Sequence, residues 1–268
     1  FLYKTKKMDL AGIISCAGVF SVFFGFMYGS FFGFEDVLKA IWLKPMNQMM
    51  DVPLVGRLNA VFVIAIGFGM FIILICMVFN IINSIRRGDT EKTWFDSNAV
   101  AGLVFYGSIV LTIGLFISGK KLPAAAILVI MFGVPLLLMF LKEPLTNLVE
   151  KKSKILPEQK GMFFVQSFFE LFEVLLSYLS NTLSFLRIGA FAVSHAAMME
   201  VVLMLAGATN GGNPNWIVVV LGNIFVCAME GLIVGIQVLR LEYYEIFSRF
   251  YAGNGREFKP FMKAAHKN

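Results

Sequence analysis

The sequence predicts an all-α, polytopic membrane bundle that ends in a long, tilted pair of helices. Three observations carry this. The 268-residue chain is 58% hydrophobic and only 15% charged, with 29 phenylalanines, and its mean hydropathy is +0.78. Such a composition belongs to membrane-spanning chains rather than water-soluble ones. The apolar residues gather into runs close to the ~20 residues a helix needs to cross a bilayer at ~1.5 Å per residue. Two arginines, Arg187 and Arg240, lie inside the last two runs, and every other cationic side chain reads as part of a loop or tail.

The chain opens FLYKTKKMD, without the basic start, short apolar run and small-residue cleavage site of a signal peptide. We expect a piece of a longer protein. Spans are expected at 10–33, 58–83, 98–118, 123–141 and 216–247. Residues 162–207 form an apolar run that would be roughly 69 Å long if fully helical, too long for one straight crossing. It either breaks near Ser180–Ser184 into an approach helix and a true span, or crosses at a steep tilt. Gly25, Gly29 and Gly33 in the first span, and Gly231 and Gly235 in the last, have the four-residue spacing that permits close helix contact; glycine is also simply common in membrane helices.

The net charge of +6 is loop charge and does not indicate nucleic acid, because no basic patch carries interleaved aromatics. Lys and Arg orient membrane chains toward the cytoplasm. Segments 1–9, 84–97, 142–161 and 248–268 hold sixteen of the 23, whereas 34–57, 119–122 and 208–215 hold five. The bias predicts six crossings, both ends in the cytoplasm, the uncharged turn TNGGNPN (209–215) outside, and an antiparallel pair of final spans. Cys16, Cys76 and Cys227 are isolated in apolar runs, which argues for packing rather than disulfides or metal.

An arginine cannot shed its proton in a protein, and placing one at mid-bilayer costs from ~3 kcal/mol on insertion scales to ~10 or more for an isolated helix. It usually faces a wet cavity or an ion path; the bland reading is a structural Arg paired with a carboxylate or snorkelling to the surface. From Glu170 onward polar residues recur as Glu173, Ser177, Ser180, Ser184, Arg187, Ser194 and His195, which share one face of a continuous helix. The stripe reads as half an aqueous path, against the alternative of a hydrogen-bonded seam between helices. In the last span Asn223, Glu230, Gln237 and Tyr244 recur every seven residues, with Arg240 one turn past Gln237. Glu230 is ~15 Å along the axis from Arg240, so it needs another partner, water or a proton. Glu200 shares a span with Arg187, nearer the outer end. His195 reads equally as a core histidine, and His266 as a tail residue. YAGNGREF (251–258) lacks the strand–loop–Lys context of a phosphate cradle, and no nucleophile triad is present.

At these residues the sequence resembles the membrane half of the stator subunit of rotary V/A-type ATPases, called subunit a or subunit I. SYLSNTLSFLRIGAFAVSHA is similar to the family's SNT-x-S-[YF]-L-R-L-x-A stretch, and MEGLIVGIQVLRLEYYEIFSRFYAGNGREFKPF to its C-terminal ending. FFGFMYGSFFGFED resembles its early hairpin, and KGMFFVQSFFELFEVLLSYLSNTLSFLR its helix leading into the first arginine. The likeness covers most of 18–36 and 160–261. Ile188 and Gly189 stand where many relatives have Leu and Trp, and Gln237 where some have His.

The resemblance implies that Arg187 and Arg240 face the ion-carrying carboxylates of a rotor ring of small membrane subunits. It implies that Glu230, His195 and Glu173 line access paths, joined on our reading by Glu170, Glu200 and Gln237. It implies a stator subunit that carries H⁺ or Na⁺ through aqueous half-channels, within a complex that also holds peripheral and central stalk subunits. The ATP chemistry lies in those partners, so this chain is expected to be non-catalytic, with no cofactor and no metal. It implies a prokaryotic plasma membrane location. The expected organisation is a cytoplasmic stub of a truncated N-terminal region (1–9), a four-helix membrane part (10–158), the ion-path helices (159–250) and a cytoplasmic tail (251–268). A secondary transporter would also bury charges, but it usually shows internal repeats and broken spans; a membrane scaffold would tolerate loss of both arginines.

Overall fold

A computed structural model gives the fold and describes residues 9–29, 34, 41–42, 49–52, 56–120, 123–149, 160–208, 214–251 and 253. Gly33, residues 1–8 of the N-terminal stub, most of the 209–215 turn and most of the 251–268 tail, His266 included, lie outside them. The described part of the molecule is mainly helical, as expected: α1 (Asp9–Tyr28), α2 (Ala60–Arg87), α3 (Thr90–Trp94), α4 (Val100–Ile117), α5 (Ala125–Phe140), α6 (Lys142–Val149), α7 (Lys160–Ser184), α8 (Leu186–Leu205), α9 (Trp216–Leu241) and a terminal turn α10 (Ser248–Phe250). Its strands are β1 (Met49–Val52) and β2 (Gly56–Asn59), a short antiparallel hairpin pairing Met49 with Asn59.

Helix ends follow local chemistry. Asn59 caps α2 by accepting a hydrogen bond from Val61 N at 3.0 Å, which satisfies one of the donors a helix start leaves orphaned; such a cap is worth ~1 kcal/mol. Gly88 (φ +70°) closes the same helix in the left-handed conformation that glycine adopts without strain, directly after Arg86 and Arg87. Asn215 repeats the capping device on α9, accepting from Ile217 N at 3.1 Å.

Helix α2 is the central post. α3, α4, α7, α8 and α10 all pack against it. The core joins Met70, Ile73 and Met77 of α2 to Ala101, Phe105 and Tyr106 of α4, Met139 of α5, Tyr178 of α7, Phe185 and Leu241. Among the described residues five helical stretches are long and apolar enough to cross a membrane, and six if α5 and α6, bent 73° from each other, count as one span. In the long run expected at 162–207 only Phe185 separates α7 from α8, and the two make one 45-residue stretch, Gly161–Leu205, without a sharp bend. Phe185 is fully buried. A Cβ placed on Gly69 would fall 2.2 Å from its ring.

Close helix approach within the described residues is seen at Gly69, Gly189 and Gly222. Gly69 meets Phe185, Gly189 meets Phe62, and Gly222 meets Val202. Gly231 and Gly235 have nothing within 4 Å, and Gly29 (φ +66°) ends α1 instead of packing it. The spacing cannot distinguish a helix neighbour inside this chain from open surface.

Candidate functional site

The last two long helices lie against one another through Met199 and Val202 of α8 and Val226 of α9, with Gly222 letting Val202 approach. Their other faces are open: Val201, Met204 and Leu205 on α8, and Leu221, Phe225, Leu232, Ile236 and Leu239 on α9, are each more than half exposed.

Arg187 is the second residue of α8, two residues after the buried Phe185. It is half-buried, and its Nη1 donates across to the backbone carbonyl of Gln237 on α9 at 3.3 Å. A peptide carbonyl accepts the hydrogen bond but does not cancel the charge. Arg240, three residues further along α9, is exposed and makes no hydrogen bond or ion pair among the described residues. The ion pairs among those residues are Lys92–Asp89, Lys142–Glu170 and His195–Glu230. Neither guanidinium is paired with a carboxylate among the described residues.

Farther along the pair, His195 Nδ1 and Glu230 Oε2 stand 2.5 Å apart, with side chains 44% and 18% exposed. This supplies the partner that Glu230 required, and it takes His195 out of the core. Which atom donates depends on the imidazole tautomer; an imidazolium makes the contact charge-assisted. Eight residues separate Arg187 from His195, ~12 Å along the helix, so the acid–base pair and the arginines occupy two levels.

The remaining candidates divide. Glu173, Ser177 and Ser180 are exposed on α7 and Ser184 is half-buried, so the polar stripe lies open. Glu170 is engaged by Lys142 Nζ at 2.8 Å and Gln166 Nε2 at 3.1 Å, which ties α7 to α6. Glu200 is exposed near the far end of α8. Gln237 contributes its carbonyl to Arg187. Asn223 is buried and donates to Val219 O of its own helix at 2.8 Å, so it is satisfied locally. No group of three or more His, Cys, Asp or Glu that could hold a metal occurs among the described residues.

One expectation needs correcting. The sequence puts Arg249 with the loop and tail charges, yet it is only 7% exposed. Its Nη1 donates to Asn98 Oδ1 at 2.9 Å, its Nε donates to the carbonyl of Glu245 at 3.2 Å, and its guanidinium carbon lies 5.8 Å from the centre of the Tyr178 ring. Tyr178 in turn donates to the Ser97 carbonyl. Tyr106 and Thr182 share a 2.7 Å hydrogen bond one turn deeper. Sequence reasoning passes over this cluster because its members come from four separate segments; the available signal is the four-residue step from Glu245 to Arg249, which keeps both on the same side.

The fold and site define a class: a helical membrane protein whose final helix pair carries two arginines with no carboxylate partner among the described residues, beside a histidine–glutamate pair. Residues 146–263 match the V-type ATPase 116kDa subunit family. The A-type ATP synthase subunit I of Pyrococcus horikoshii is 25% identical over 272 residues, which is 96% of this chain and 37% of that one. The A-type ATP synthase subunit I of Saccharolobus solfataricus is 44% identical over 100 residues, 34% of this chain and 14% of its own. The human V-type proton ATPase 116 kDa subunit a 3 is 35% identical over 106 residues, 35% of this chain and 13% of its own. The chain spans little more than a third of the length of the archaeal relative that it matches from end to end. The matched stretch holds Arg187 and Arg240, so the likeness to the V/A-type ATPase subunit a and subunit I family falls on the final helix pair.

Proposed function

We propose that this chain is the membrane part of a rotary V/A-type ATPase stator subunit, and that α8 and α9 pass ions to and from carboxyl groups on a rotor ring. The observation that carries this reading is the pair of arginines, one bonded to a neutral carbonyl and the other exposed, with no carboxylate of the described residues to neutralise either. A ring carboxyl surrounded by lipid must be neutral, either protonated or ion-loaded. Beside two fixed cations its ionised form is favoured and its pKa falls, so the ion leaves into one aqueous half-path. Further rotation reloads the carboxyl from the other path, and the arginines block a direct leak between the two. A wet interface, with an effective dielectric nearer 20 than 4, keeps the attraction weak enough for the carboxylate to move on. His195 with Glu230 at one level, and Glu173 with the α7 serines at the other, are the polar groups that line the two paths on this reading. The charge bias sets the C-terminus in the cytoplasm. The ATP chemistry belongs to partner subunits.

The test uses the assembled complex in sealed vesicles. Arg187→Ala and Arg240→Ala should each leave assembly intact and abolish ATP-driven ion uptake. Normal uptake by either variant overturns the role of that arginine.

A further inference from the structure

We propose that Arg249 is a positioning residue for Arg240, acting through the π-helical segment between them. This rests on the reading that Arg240 acts on the translocated ion. Helix α9 stops being an α-helix one residue after Arg240: Glu242–Phe247 form a π-helix, and α10 comes immediately after it. In a π-turn each N–H reaches back five residues instead of four, which fits an extra residue into the turn, and such turns are frequent at functional sites. One extra residue rotates the helix beyond it by about 100° relative to an uninterrupted α-helix. The direction in which Arg240 points relative to the bundle therefore depends on whether this segment holds its π form.

The segment is bolted to the scaffold at its far end. Arg249 donates to the carbonyl of Glu245, inside the π-turn, and to the side chain of Asn98, in the loop before α4. The same Asn98 accepts from Asn80 of α2 through its own carbonyl at 2.9 Å, and Asn83 of α2 donates to the Phe250 carbonyl at 3.4 Å. Phe250 also meets Phe79 with ring centres 5.9 Å apart. Leu241 and Glu245 are buried. Among the described residues Arg240 has no contact of this kind. It sits between two anchors, the Arg187 bond to Gln237 three residues before it and the Arg249 clamp after it.

The experiment reads geometry and transport separately. In a complex whose subunit has Cys16, Cys76, Cys227 and any cysteine elsewhere in it replaced by alanine, a cysteine is placed at position 240 or, as a control two turns earlier, at position 232. Maleimide labelling is then compared with and without Arg249→Met, which keeps the bulk and removes the donors. We expect Arg249→Met to change the labelling rate at 240 at least threefold while leaving that at 232 unchanged. In the chain that retains Arg240, Arg249→Met should cut ions moved per ATP about tenfold with ATP hydrolysis persisting, and Arg249→Lys should restore part of the loss. Unchanged labelling at 240 overturns the proposal, even if transport falls. If Arg249→Met does not assemble, Asn98→Ala removes one acceptor of the clamp and must give the same pattern at reduced size. Should Arg240→Ala transport normally, the ion role of Arg240 fails, while the labelling comparison still decides whether Arg249 positions it.

Discussion

At the residue scale, the helix pair holds its charges in unequal ways. Arg187 keeps one hydrogen bond, to a carbonyl; Arg240 keeps none among the described residues; Glu230 has a base 2.5 Å away. A hydrogen bond to a charged group is worth ~1.5–3 kcal/mol, and the 44% exposure of His195 places this one at the low end. His195→Ala should therefore slow ion transport about tenfold without uncoupling it from ATP hydrolysis, because both arginines remain. An initial-rate assay of ion uptake alongside ATPase activity checks this: complete uncoupling would assign the histidine a different part, and an unchanged rate would make the pair merely structural. That Glu230 stands too far from Arg240 to pair with it is legible from helical rise alone. That His195 is its partner is not, because the two are 35 residues apart on different helices and only their packing brings them together.

At the element scale, the buried Phe185 lies two residues before Arg187, at the junction of α7 and α8. The ring of Phe185 fills the space that a side chain on Gly69 would take, and Tyr178 and Thr182 bind the end of α7 to the 97–106 region. Overpacking a well-filled contact costs ~1–3 kcal/mol, and at 2.2 Å there is no room for adjustment without moving that junction. Gly69→Val should lower the midpoint of thermal unfolding in detergent by several degrees and reduce transport through Arg187. Gly231→Ala and Gly235→Ala, which meet nothing within 4 Å, should leave the isolated chain's midpoint unchanged. Equal destabilisation by all three would contradict the packing described. That the run is too long for one straight crossing is readable from its length, but length alone leaves open a break near Ser180–Ser184 or a steep tilt, and the structure keeps Gly161–Leu205 as one stretch without a sharp bend. The π-turn is not readable. EYYEIF carries no glycine or proline and continues the helical pattern, so its form is imposed by the contacts of Leu241, Glu245 and Arg249 with the rest of the bundle.

At the scale of the whole molecule, the bundle divides into a scaffold packed around α2 and a helix pair that leaves most of its apolar side chains uncovered. Apolar composition makes the helical membrane class legible, but burial within the chain cannot be read from it, because lipid-facing and core-facing positions are equally apolar in a bilayer. The same ambiguity bears on topology. Helix α5 has 16 residues, ~24 Å at 1.5 Å each, against a hydrocarbon core of ~30 Å, and it bends 73° into α6. If α5 crosses, the spans number six and both ends of the chain share one side, the side that the Lys and Arg bias assigns to the cytoplasm. If α5 instead enters and returns, the C-terminal helix pair is inverted relative to α1 and the exposed stripe of α7 opens to the opposite compartment. Single cysteines at the exposed positions Ala124, Leu148, Asn215 and Tyr251 distinguish the two. An impermeant maleimide applied outside intact cells should label positions 124 and 215 fully, and 148 and 251 only after permeabilisation. Labelling of 148 together with 124 from outside would make α5 and α6 a re-entrant pair. Labelling of 251 from outside would reverse the assignment of the two half-paths, because the compartment reached by Glu173 and that reached by His195 and Glu230 would then be exchanged.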